Sequence, residues 1–241
     1  MSRWSGSSPD RPSTSSASGS RRAVPELDPL RSTGAAREFT SRPVSDAEVH
    51  AILDDARFAP SGGNRQPWRV AVLQEAAVRR GVVDATRPVW DDYVAITSDG
   101  RVPFSVVDGA PPAEVESGQP NPLIDRVEQV PVVLAIAADI RAIAAMDADS
   151  GRLPLAAGAS IYPFCWSILL SASRRGLGGV LTTFVTRVQG SVDEMLGLPE
   201  HHSLAALIFL GEPAQRVTRL SRRPVGDFTA IDRFNGPALN I

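Results

Sequence analysis

The chain has 241 residues, of which 43% are hydrophobic and 22% charged, and its formal net charge is -2. That length suits one domain with a sizeable core, and the near-neutral balance gives no electrostatic ground for binding nucleic acid or a membrane surface. A single cysteine excludes an internal disulfide and a multi-cysteine metal centre; all 25 basic residues are arginine, which excludes a lysine Schiff base and a phosphate-binding P-loop lysine.

The first twenty residues include nine serines and almost nothing apolar. Such a segment cannot bury enough surface to offset its ordering entropy, so residues 1–28 read as a disordered tail ahead of one domain over 29–241. Arg21-Arg22 has no continuous apolar run after it and fails as a twin-arginine export signal. No stretch is apolar for long enough to span a bilayer, and the expected location is the cytoplasm.

Ser45-Asp46-Ala47-Glu48 has the form of a capping box. Val49, Ile52, Leu53 and Ala56 then fall at i, i+3, i+4 and i+7, predicting an amphipathic helix that ends before Pro60. A strand is expected over 69–73 and a second helix over about 75–86. From 91 to 122 the chain is rich in Pro, Gly and Asp and reads as an irregular excursion or lid. Residues 132–137 predict a buried strand. The apolar stretch 156–175 predicts a buried helix with Gly176 as its C-cap, and Pro163 should kink it or shift its start. Strands over 180–184 and 204–210 flank a short helix over 191–196.

The most informative stretch is Ala59-Pro60-Ser61-Gly62-Gly63-Asn64-Arg65-Gln66-Pro67-Trp68, between the first helix and the first strand. Pro60 stops the helix, Gly62 and Gly63 permit unusual backbone angles, and Ser61, Asn64 and Gln66 supply hydrogen-bonding groups, which suits a loop lying against a flat polar ligand. Together with Thr33-Gly34-Ala35-Ala36-Arg37-Glu38-Phe39, Ala172 to Gly179, Leu196-Gly197-Leu198-Pro199-Glu200, Leu210-Gly211-Glu212-Pro213 and Arg222-Arg223-Pro224, in this order, it resembles the FMN-dependent nitroreductase family. The resemblance covers nearly the whole chain outside the tail.

The resemblance implies an α+β fold, a central mainly antiparallel sheet flanked by helices, in an intertwined homodimer with FMN at the interface. It places Arg37 near N1 and O2 of the flavin ring, where a cation stabilises the reduced form. Pro60, Ser61, Gly62, Asn64 and Gln66 would line the ring and ribityl chain across the subunit interface, and Leu181, Thr182 and Thr183 would present a main-chain N–H to N5. The family's Arg-x-Ser phosphate contact is replaced by Gly34 and Ala35, leaving Arg31, Arg222 and Arg223 as candidates for the phosphate. The implied activity is reduction of nitroaromatics, quinones or similar electrophiles by NAD(P)H in a ping-pong cycle. The alternatives are another flavin reaction on the same fold (dehalogenation, flavin breakdown or substrate dehydrogenation), a non-catalytic flavin-binding protein, or a domain that has lost its cofactor. His201-His202 reads as a surface loop rather than a metal site, Cys165 as a small buried hydrophobe, and His50 as solvated.

Overall fold

The computed structural model describes residues 28–216 and 219–239; the serine-rich tail and Arg21-Arg22 lie outside them. The elements in chain order are α1 (Pro29–Ser32), α2 (Asp46–Ala56), β1 (Trp68–Val72), α3 (Ala76–Asp84), α4 (Arg87–Ser98), α5 (Pro122–Asp125), β2 (Val132–Asp139), α6 (Tyr162–Arg174), β3 (Gly178–Thr182), α7 (Gln189–Leu196) and β4 (His202–Gly211). They build an antiparallel four-stranded sheet in the order β1-β2-β4-β3.

Both faces of this sheet are covered, which is why its central strands read as continuous apolar runs rather than as alternating ones. On one face Leu134, Ile136 and Ile208 pack with Ile52 of α2 and Phe164 and Ile168 of α6. On the other, Val133, Ala135 and Phe209 pack with Val82 of α3, Leu123 of α5 and Val192 of α7. Ala205 is an extra residue in β4, where the register to β2 shifts between Ile136 and Ala137. The bulge lets Ala205 and Ala206 both join the α2–α6 face.

Local chemistry explains the helix ends. Ser45 and Glu48 form the reciprocal capping box. Pro163 lies in the first turn of α6, so the expected long helix starts there, and residues 156–160 form a separate 3-10 turn. At the other end Gly176 adopts φ +79°, with Leu177 N–H donating to Ala172 O and Gly176 N–H to Ser173 O, which is the Schellman pattern. Asp55 of α2 accepts from Ser171 Oγ of α6 at 2.6 Å and from Arg175 at 2.9 Å, fixing the pair of helices.

Two expectations need correction. The 91–122 segment is not irregular throughout, because Arg87–Ser98 is a helix. Pro88 occupies the first turn of α4, where a missing N–H costs nothing. His202 is not in a surface loop: it begins β4, is buried, and its Nδ1 faces Glu200 O at 3.0 Å. His201 and His50 are exposed, as expected. The thiol of Cys165 is fully buried, and burial pushes it up to about 12, out of nucleophilic range.

Two predictions follow from the caps and pairs. Gly176→Ala places a Cβ at a left-handed position and is expected to cost about 1 kcal/mol or more, read as a lower denaturant midpoint. The Glu48 carboxyl is lowered from 4.5 to about 2 by the Ser45 N–H and the Arg42 guanidinium, and Asp55 and Asp125 are lowered by their own partners. Because the folded values lie below the unfolded ones, these groups contribute stability above about pH 4.5 that is lost as pH falls towards 2. Thermal melts across that window should show a falling Tm, with a shallower fall in Glu48→Gln.

Candidate flavin site

The loop between α2 and β1 keeps an unusual shape. Gly63 (φ +59°), Asn64 (φ +53°) and Gln66 (φ +47°) all have left-handed backbone, so the strain falls on two non-glycine residues as well as on the expected glycine. Hydrogen bonds from Gln66 N to Ser61 Oγ and from Gly62 N to Ser160 Oγ, both 3.0 Å, hold it in place. Gln66 Nε2 also donates to Asn64 Oδ1 at 3.1 Å. Gly62, Asn64 and Gln66 remain exposed, with Pro60 beside them and Ser61 half-buried. Left-handed backbone at two non-glycine residues, held by these hydrogen bonds and facing solvent, makes the loop a candidate ligand-binding element.

At the far edge of the sheet, Ala35 bridges Gly179 in parallel, and Ala36 N–H donates to Gly179 O at 3.0 Å. The chain then leaves β3, and Thr40 N–H and Ala214 N–H tie it to the segment after β4. Strand alternation puts the N–H and C=O of Leu181 on the same open edge as those of Gly179. Arg37 and Glu38 line a cleft of about 200 Å³ with Arg126, Gln129, Val130 and Ala214. Among the described residues neither Arg37 nor Arg126 makes an ion pair or a side-chain hydrogen bond. Thr33 Oγ1, two residues before Ala35, is buried without a hydrogen-bond partner among the described residues.

Not every expected site residue is brought together within one chain. Trp68 is level with Ala138 and Ser203, whereas Thr182 is level with Leu207, Ala135 and Ala71. The loop and Thr182–Thr183 therefore project from the same end of the sheet, but three strand spacings apart, roughly 15 Å. Arg222 and Arg223 are exposed, and Arg222 Nη1 bonds only Ser221 O. Among the described residues no hydrogen bond or ion pair ties 219–239 to the rest of the chain. Arg126 and Gln129 lie in no motif of the sequence, and Thr33 stands in one without a role of its own. Arg126 follows a four-residue helix far along the chain from Arg37, and only the tertiary fold puts the two in one cleft.

Beyond Thr183 the chain enters a 3-10 turn over Phe184–Arg187, against which α4 packs Trp90 and Tyr93. Among the described residues no group of three or more His, Cys, Asp or Glu is placed to hold a metal ion, and no helix is long and apolar enough to cross a membrane.

Comparison with known proteins agrees with this geometry. Residues 30–212 match the sequence profile of the Nitroreductase family. The chain is 30% identical over 191 residues to an NADH dehydrogenase of Thermus thermophilus, covering 78% of this chain and 87% of that protein. It is 26% identical over 196 residues to a 5,6-dimethylbenzimidazole synthase of Rhodospirillum rubrum, covering 78% and 85%. Among solved structures, the NADPH:FMN oxidoreductase of Vibrio harveyi in complex with NAD+ superposes with a TM-score of 0.62 at 18% identity, over 88% of this chain and 78% of that one. The open-edged antiparallel sheet, the loop before β1 and a match spanning most of the chain lead to one conclusion: this protein is an oxidoreductase that belongs to the nitroreductase family.

Proposed function

We propose that the protein binds FMN and uses NAD(P)H to reduce quinones, nitroaromatics or similar electrophiles. The observation that carries this reading is the pair of cations, Arg37 and Arg126, without an ion pair among the described residues, in one cleft shared with Glu38 and starting two residues beyond the Ala35–Gly179 bridge on the edge of β3. Two guanidiniums without carboxylate partners suit a group that gains negative charge on reduction, as the N1–O2 end of a flavin does. The Leu181 N–H on the same edge is the donor proposed for N5, with Thr182 and Thr183 continuing that wall. The orphaned Thr33 Oγ1 supports a polar ligand beside the Ala35–Gly179 bridge, where Gly34 and Ala35 remove the usual phosphate contact. Arg31, Arg222 and Arg223 remain the proposed phosphate cations.

Bound FMN would supply hydride acceptance from the nicotinamide and electron delivery to the acceptor. The residues of this chain bind it, orient it and hold charge against one end of the ring. Donor and acceptor then use one site in turn, giving ping-pong kinetics. A cleft of about 200 Å³ is below the usual size of a cofactor pocket, so one chain supplies only part of the site. The roughly 15 Å between the 60–66 loop and Thr182 supports the same point. The second copy of a homodimer would bring its own loop, Ser61, Asn64 and Gln66 included, to complete the site. Exposed Tyr162 and Trp166, one turn apart on α6, and Phe58 beside the loop (75% exposed) supply an apolar surface for that contact. A cytoplasmic location fits an enzyme fed by NAD(P)H.

Similarity to a 5,6-dimethylbenzimidazole synthase favours a second reading, in which the same fold performs a different reaction such as flavin breakdown. Absorption spectra separate the readings. A bound flavin that bleaches with anaerobic NADH or NADPH, and regains its spectrum on adding a quinone, supports the reductase. A flavin spectrum lost irreversibly in oxygen supports breakdown, and no flavin binding overturns both. Arg126→Ala should weaken FMN binding about ten- to a hundredfold, the loss of a charged hydrogen bond worth about 1.5–3 kcal/mol. Arg126→Lys should recover part of it. Trp166→Glu should shift the native mass from dimer to monomer and release flavin at the same time; a flavin-loaded monomer would overturn the shared site.

A further inference from the structure

The excursion after α4 has an architecture of its own. Arg101 donates to Ala110 O at 2.8 Å and to Asp99 at 2.8 Å, and Phe104 N–H donates to Gly109 O at 3.1 Å, closing residues 101–110 into a small knob. Gly109 locks its turn, since a Cβ there would lie 1.9 Å from Ser105 N. Behind the knob, residues 111–117 make no hydrogen bond among the described residues. Pro111 and Pro112 begin this strap, which gives it some stiffness without any tie to the body.

The foot of the strap is held firmly. Gly118 N–H and Gln119 N–H donate to the buried Asp91 carboxylate at 3.0 and 2.9 Å. Gln119 O accepts from Trp90 Nε1 at 3.1 Å and from Arg87 at 3.0 Å. The knob is thus fixed at both feet, the first by Arg101 N–H donating to Ile96 O at 3.2 Å, and beyond its feet its one polar contact with the body among the described residues is the Arg187 guanidinium over the Phe104 ring, 4.5 Å from its centroid. Arg187 has no other partner among the described residues, and Phe104 is held at φ +56°, a costly backbone for an aromatic residue. Arg187 is four residues beyond Thr183 along a 3-10 turn, a rise of about 8 Å. Val106 and Val107 on the knob are 75% and 90% exposed.

We propose that Phe104 and Arg187 are the latch of a hinged lid, and that the latched knob limits the size of the acceptor admitted beside Thr182–Thr183. The proposal rests on the flavin reading for where the acceptor lies, though the latch itself does not. A single cation–π contact at an exposed site biases an equilibrium by only about two- to fivefold, so the lid is closed most of the time and opens readily. On this proposal the closed knob favours a single-ring acceptor, and opening adds access for a fused-ring quinone.

Amide hydrogen exchange on the purified full chain, without donor or acceptor, tests the latch. Arg187→Ala and Phe104→Leu should speed exchange of peptides covering 101–110 about two- to fivefold, with other regions unchanged, and Arg187→Lys, which keeps a cation over the ring, should restore protection. The ratio of kcat/KM for menadione to that for 1,4-benzoquinone, with whichever of NADH and NADPH bleaches the flavin as donor, should rise severalfold in the two opening variants and stay at the wild-type value in Arg187→Lys. Unchanged exchange overturns the latch, and faster exchange with an unchanged ratio overturns its role in selection. If the wild-type protein reduces neither quinone, the flavin reductase reading fails, and the latch stands or falls on exchange alone.

Discussion

The burial of both faces of the β2–β4 strand pair is the constraint on which the rest of this protein depends. Val132 to Ala138 and Leu204 to Leu210 are buried without a break. A sheet with two apolar faces needs helices on both sides, and α2 with α6 on one face and α3, α5 and α7 on the other supply them. Polar chemistry cannot be placed inside such a sandwich without stranding hydrogen-bonding groups. It is pushed to the open edge of β3, to the loops at the strand ends and to the surface of α6.

That displacement shapes the candidate site. The free edge of β3 presents main-chain groups of Gly179 and Leu181, and the segment that covers Gly179 turns away before reaching Leu181. Unpaired strand edges are usually blunted or covered; here, among the described residues, the Leu181 position is left open. The 60–66 loop, at the opposite edge, keeps its strained backbone through internal hydrogen bonds rather than through contact with the β3 edge. In the proposed homodimer, the β3 edge of one copy and the loop of the other would each supply part of the site.

The excursion follows the same logic on a smaller scale. Its helix, α4, joins the body through Val89 and Ile96 and through the aromatic contacts of Trp90 and Tyr93 with Phe184. The knob beyond it has no core of its own and borrows a single cation for anchorage. Regions with few buried contacts lie at the low end of local stability, and elements that move during a reaction cycle are drawn from that end.

Local sequence determined what short-range chemistry controls. The Ser45–Glu48 capping box, the Gly176 cap and the shift of α6 by Pro163 depend on a few neighbouring residues, and each is legible in the chain. So are the apolar runs of β2 and β4 and the composition of the 59–68 loop, whose order with the other motifs points to the family. The tertiary structure decided what depends on distant partners. Pro88 became a helix start because Val89 and Ile96 had a core to enter. His202 became buried because β4 begins two residues before its apolar run. Arg126 meets Arg37 only because α5 returns the chain to the start of β2, and Phe104 meets Arg187 only because the excursion folds back over the turn after β3. Sequence spacing carries no record of such meetings, since the side chains that fix them are brought together by the packing of the whole sheet.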